Sequence, residues 1–293
     1  MLRTRLLGLA AIAFGFFALV GGTCSRDRVE SVTRMNEGVT YASQKRFMEA
    51  AEKLESAAAI DPTNDQAYWN LAIVHMEMSK FERARDDLRS AIDANDQVPG
   101  YHQKLGEVLY ELGDDEGAIA AFQRALELDQ NLFRAHYRVA RVHERLDQPQ
   151  EALQAYTRAI EAGPRFVDAY AALGRMYADL GYTDLAVQVL EGGLEVVIEG
   201  TEDEARLHNL LASVYQQMGE EHYADAVEHF RAAIDLLPSL HDALFGLGWT
   251  YYLQNDQAEA RRYLQRYIDA AAGEAQEHYL RAARDRLDEL GQP

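Results

Sequence analysis

The chain has 293 residues, 48% of them hydrophobic and 26% charged, which is long enough for a sizeable core and too apolar for a disordered polymer. Its formal net charge of −19 repels phosphate backbones and argues against nucleic acid as a partner. One cysteine excludes an intramolecular disulfide and a cysteine-rich metal site, and six prolines with no Gly/Ser tract leave no long linker.

The first residues stand apart from the rest. Residues 1–5 carry Arg3 and Arg5, 6–20 run without a charge, and Gly21, Gly22, Thr23 and Cys24 precede a return to polarity at Ser25 and Arg26. That order predicts a secretion signal over 1–24. The apolar run is shorter than the roughly 20 residues that span a bilayer. Its end resembles the lipobox of bacterial lipoproteins, with Cys24 in the place of the acylated cysteine. Gly21 and Thr23 depart from that pattern, which has leucine three residues before the cysteine and Gly or Ala directly before it. Three outcomes stay open: lipidation at Cys24, simple cleavage, or an uncleaved anchor helix. The lipoprotein resemblance implies a bacterial cell envelope and a periplasm-facing chain tethered by lipid. Ser25 does not favour retention at the inner membrane, so the outer membrane is expected; the uncleaved helix would instead anchor the chain in the inner membrane. Residues 25–30 read as a short polar stem.

From Ser31 onward the sequence repeats. Gly38, Ala72, Gly106, Ala140 and Gly174 lie 34 residues apart, and Ala212 and Gly248 continue the series. A second series runs Ala50, Ala84, Ala118, Ala152, Ala186, Ala226 and Ala260. Four residues after each of these stands a large one: Leu54, Leu88, Phe122, Tyr156, Leu190, Phe230 and Leu264. Antiparallel helices approach closely only where side chains are small, so each period predicts one tight helix pair. The register slips near 199–204 and again at 220–223. Pro62, Pro164 and Pro238 end helices, and Gly113, Gly181 and Gly219 mark turns inside units.

This pattern resembles the tetratricopeptide repeat (TPR), whose period is 34 residues. The resemblance implies an all-α, right-handed superhelical solenoid of about seven helix pairs. The expected units are 31–64, 65–98, 99–132, 133–166, 167–200, 205–240 and 241–272, with a capping helix and tail over 273–293. It also implies that the first helix of each unit lines a concave groove. By position, Met35, Val39, Trp69, Ile73 and Met76 fall in an N-terminal zone of that groove. Tyr110, Arg134, Tyr137, Arg141, Arg145 and Arg175 fall in a central zone, and Phe245, Trp249, Tyr252 and Leu253 in a C-terminal one.

Arg134, Arg138, Arg141 and Arg145 make one stripe on one helix of an acidic chain. Guanidinium forks suit a carboxylate or phosphate, so the stripe is expected either to meet an acidic partner segment or to pair internally with Glu111, Glu144, Asp168 or Asp179. Trp69 and Trp249 are candidate anchors for a partner; the terminal helix is an alternative cover for Phe245 and Trp249. No P-loop, GxSxG or HExxH motif is present. His102, His136 and His208 stand where Tyr68 and Tyr170 do, and His75 and His143 where Tyr41 and Tyr177 do, so they read as core substitutes rather than metal ligands. The expectation is a non-enzymatic scaffold without cofactor or metal that holds a protein or peptide in its groove. An envelope adaptor of the kind that assists pilus or secretin assembly is the resemblance's narrower implication. A docking or regulatory subunit of an envelope hydrolase or protease, or a self-assembling structural protein, are the alternatives.

Overall fold

The computed structural model describes residues 26–270 and 277–291; Cys24 and the rest of the expected signal lie outside them. Within the described residues, fifteen α-helices and one 3₁₀ turn follow one another. Unit 1 is α1 (Arg26–Ser43) with α2 (Phe47–Ile60), and unit 2 is α3 (Asp65–Glu77) with α4 (Phe81–Ala94). Unit 3 pairs α5 (Pro99–Glu111) with α6 (Asp115–Leu128), and unit 4 pairs α7 (Phe133–Arg145) with α8 (Pro149–Ala162). Unit 5 is α9 (Val167–Asp179) with α10 (Thr183–Val196). Unit 6 is α11 (Glu202–Met218), the 3₁₀ turn Glu220–His222 and α12 (Tyr223–Leu236); unit 7 is α13 (His241–Leu253) with α14 (Gln257–Ala270). The terminal helix α15 spans Glu277–Glu289. No described helix is long and apolar enough to cross a membrane.

The pairing follows from the two small-residue series. Every alanine of the second series is fully buried, and so, to within 1%, is the large residue four positions on. Leu54 lies against Gly38 so closely that a Cβ there would stand 2.6 Å from Leu54 Cγ, and at Gly106 one would stand 2.7 Å from the Phe122 ring. Where the first position is alanine, the same contact joins Ala72 to the Leu88 core, Ala140 to that of Tyr156 and Ala212 to that of Phe230. Each large side chain stabilises its unit by roughly 2 kcal/mol.

Helix ends are set locally. Asn64, Asp114 and Thr201 accept a backbone N–H at helix starts, and Pro99 and Pro149 open helices where no N–H is needed. Pro62, Pro164 and Pro238 stand in the links between units, as expected. The turn inside every unit needs one residue with positive φ. Gly113, Gly181 and Gly219 supply it in three units, and Lys45, Ser79, Asp147 and Asn255 in the others.

Two boundaries differ from expectation. Residues 26–30 are the opening turn of α1 rather than a stem. Unit 6 begins at Glu202 rather than 205, because most of the extra residues lengthen α11, 17 residues against 13 in α9. The second slip is the 3₁₀ turn itself.

Successive first helices touch across unit boundaries, α1 with α3, α5 with α7, α9 with α11 and α11 with α13, whereas successive second helices make no comparable contact. The stack therefore curves with the first helices on its inner side.

Candidate partner-binding groove

The three expected zones lie on the first helices and differ in what the fold has done with them. In the N-terminal zone Met35 is 3% exposed and belongs to the core, so it offers nothing to a partner. It stands where α1, α2 and α3 meet, packed with Leu54 and Leu71. Val39 and Ile73 instead line a small apolar socket with Phe47, Leu54 and Val74, edged by Asn70 and Glu77. Trp69 is half-buried, its ring 5.1 Å from that of Tyr101 on α5. Met76 packs beside it against the Ala72–Leu88 core.

In the central zone half of the arginine stripe, with Arg175 beside it, is paired within the fold. Arg141 Nε lies 3.0 Å from Glu144, and Arg175 donates to the other oxygen of the same carboxylate at 3.0 Å. The Tyr156 hydroxyl also donates to Glu144; burial, helped by that bond, pushes the phenol up so that it stays a neutral donor. Arg145 pairs with Asp115 at the start of α6, donates to the Tyr110 carbonyl at 2.9 Å and lies 3.7 Å above the Tyr110 ring. Of the carboxylates expected to neutralise the stripe, Glu144 does so, Asp168 pairs with Arg206, and Glu111 and Asp179 take no part. Asp115 is not legible from helical phase, because it lies 30 residues away at a helix start that only the superhelical stacking brings near.

Two guanidiniums of the stripe, Arg134 and Arg138, have no carboxylate among the described residues. Arg134 is exposed, 5.6 Å over the Phe133 ring, and Arg138 is half-buried one turn on. Between them Tyr137 lies 5.4 Å from Tyr156 and 5.2 Å from Phe166, which in turn meets Phe133 at 4.9 Å. The centre of the groove is thus an aromatic floor with an excess of positive charge around it: two free arginines, and one carboxylate shared by two more.

The C-terminal zone is covered. Tyr279 of α15 meets Phe245 at 5.2 Å, Arg286 lies 5.2 Å over Trp249 and 5.3 Å over Tyr252, and the Tyr252 hydroxyl donates to Glu289 at 2.7 Å. Phe245 and Trp249, for which the terminal helix is the alternative cover, and Tyr252, expected to face a partner, therefore all face α15. Leu253 remains exposed at the rim.

The histidines behave largely as substitutes for aromatics. His102 bonds the Asp96 carbonyl and His136 the Gln130 carbonyl, each six residues back, as Tyr170 does with Pro164. His208 cannot, because the lengthened α11 puts helix where that loop would be; its Nδ1 meets His229 Nδ1 at 2.9 Å instead. Among the described residues no three histidines, cysteines or carboxylates gather as metal ligands.

Repeat-family models match this chain in five stretches. The model described as TPR repeat matches 106–147, and models described as tetratricopeptide repeat match 41–107, 133–176, 167–196 and 209–275. No curated protein sequence matches the chain. Among solved structures, a part of a TPR protein from Cytophaga hutchinsonii superposes with a TM-score of 0.70 at 15% identity, over 86% of this chain and 99% of that one. PilF of Pseudomonas aeruginosa gives 0.59 at 17%, over 80% and 99%. YrrB, described as a TPR protein with an unusual peptide-binding site, gives 0.52 at 24%, over 67% and 97%. Likeness at these identities concerns the fold, and together with the five matched stretches and the seven helix pairs it places the chain in the tetratricopeptide-repeat family.

Proposed function

We propose that this protein is a non-catalytic protein–protein interaction scaffold, tethered at a bacterial cell envelope through Cys24, whose groove holds an acidic segment of a partner. One observation carries the partner chemistry: in a chain with a net charge of −19, the centre of the groove keeps Arg134 and Arg138 without a carboxylate. Leaving two guanidiniums unpaired on one helix disfavours that helix slightly, and a carboxylate from outside would offset the cost with charge-assisted hydrogen bonds. The aromatic floor of Phe133, Tyr137 and Phe166 would take an apolar side chain of the same segment. The tether rests on the basic start, the apolar run and the position of Cys24 in the sequence. Assistance to an envelope assembly of the pilus or secretin type is the narrower reading, supported by the shared architecture with PilF.

The test is a crosslinking pull-down from membranes with the full chain beside an Arg134→Glu, Arg138→Glu variant. Capture of one protein by the wild type and its loss from the variant, with helical circular dichroism unchanged, supports the reading. Equal capture by both removes the arginines from the interface. Recovery of an envelope hydrolase or protease, or of the chain itself, replaces the assembly reading with a docking or self-associating one. Cys24→Ala moves the protein from the membrane to the soluble fraction if the tether is lipid.

A further inference from the structure

We propose that the Phe245–Trp249–Tyr252 strip of α13 is a second docking surface, shaped for an amphipathic helix, with α15 as its resident occupant, displaced by a partner helix of the same chemistry. The strip is the most aromatic stretch on the inner side of the stack, and its cover is lightly held. α13 buries seven residues, whereas α15 buries one, Ala283. Leu280, Leu287 and Leu290 are only half-buried, and Tyr279 is 40% exposed. The other attachments are the Tyr252–Glu289 hydrogen bond, the Arg286 guanidinium over two rings and an Arg261 bond to the Leu290 carbonyl. The exposed Tyr252–Glu289 contact contributes little, and an element with so few buried groups opens before the rest of the fold.

The contacts of α15 also say what replaces it. Tyr279, Ala283 and Arg286 recur at i, i+4 and i+7, one face of a helix. The aromatic meets Phe245, the small residue is fully buried, and the cation lies over Trp249 and Tyr252. A partner helix with aromatic, small and basic residues at those intervals reproduces each contact. Because α15 is part of the chain, its effective concentration is high, on the order of millimolar, so only a well-matched helix displaces it. This surface is separate from the arginines of unit 4 and stands or falls without them.

The test uses the full chain with Trp69→Phe, which leaves Trp249 as the only tryptophan, and a synthetic peptide of residues 277–291 as probe. A second form adds Tyr279→Ala and Arg286→Ala, loosening the resident helix without touching α13. The expected result is a saturable shift of Trp249 emission in the loosened form, with at least tenfold tighter peptide binding than in the parent. A peptide carrying the same two alanines gives no shift. Absence of binding to a loosened form that keeps its helical signal overturns the proposal. If that form loses its helical signal, hydrogen exchange on the parent decides: excess peptide accelerates exchange across 277–289 while 241–253 stays protected, and an unchanged rate refutes displacement.

Discussion

Units 2 and 6 set the same pair of positions against each other and fill them differently. Three residues past the small residues, unit 2 has His75 and Asp87, joined at 2.6 Å with His75 almost fully buried. Unit 6 has Tyr215 and His229 there, stacked at 5.6 Å, with His222 also stacked on Tyr215 at 5.8 Å and His208 bonded to His229. The small-to-large contact beside them is identical in kind: Ala72 with Leu88, Ala212 with Phe230. The repeat therefore demands the close contact and leaves its neighbour free, for an ion pair in one unit and a stack of rings in another.

The largest effect breaks what the two units share. Ala72→Leu and Ala212→Leu each force three carbons into a filled contact and cost about 3 kcal/mol in urea denaturation; a small loss in either unit would mean that its contact is slack. Next comes what belongs to unit 2 alone. Asp87→Ala leaves the buried His75 ring nitrogen without its partner and costs about 2 kcal/mol, read from the shift in denaturation midpoint.

The third effect belongs to unit 6. Burial holds His208 below the ordinary histidine value of 6.5, and burial together with His208 does the same to His229, against the opposing pull of Glu191, Glu204, Asp225 and Glu228. As pH drops through about 6.5 the unfolded chain takes up protons that the folded pair resists, so stability is complete above that value and declines below it. The melting temperature falls by a few degrees between pH 7 and pH 5. His208→Phe with His229→Phe flattens that slope, and an unchanged slope would mean the pair stays neutral for no structural cost. The smallest effect sharpens the turns. Ser79 holds φ 56° in unit 2 where Gly219 holds φ 107° in unit 6. Ser79→Gly stabilises by roughly 0.5–1 kcal/mol and Gly219→Ala destabilises by about 1 kcal/mol.

Most of the fold is legible in the sequence because the repeat states it seven times: a small residue, its large partner and a turn recur, so a single departure cannot hide the pattern. The slips near 199–204 and 220–223 are legible as lengths but not as shapes, since extra residues in a helical context lengthen the helix as readily as the loop. The groove was harder. Helical phase puts Arg134, Arg141 and Arg145 on one stripe, and Glu144 is near enough in sequence to be foreseen. Asp115 is not, because its contact with Arg145 depends on how one unit stacks on the next. Met35 shares its phase with Trp69, yet at the first unit that position closes onto neighbouring helices. The cover over Phe245 and Trp249 is one of two outcomes the sequence leaves open, that over Tyr252 is not foreseen, and only the placement of α15 decides both.

Every substantial helix contact joins members of one unit or of adjacent units. Mechanically, such a stack is a set of hinges in series: a pull between its ends is felt equally at each, and the extensions add. Between the seven units, leaving aside the lightly held α15, the most compliant hinges are the thinnest, α6 on α7 and α8 on α9, and these flank unit 4. Tension between the first unit and the seventh would thus be converted first into a change in the tilt of the helix that carries Arg134 and Arg138.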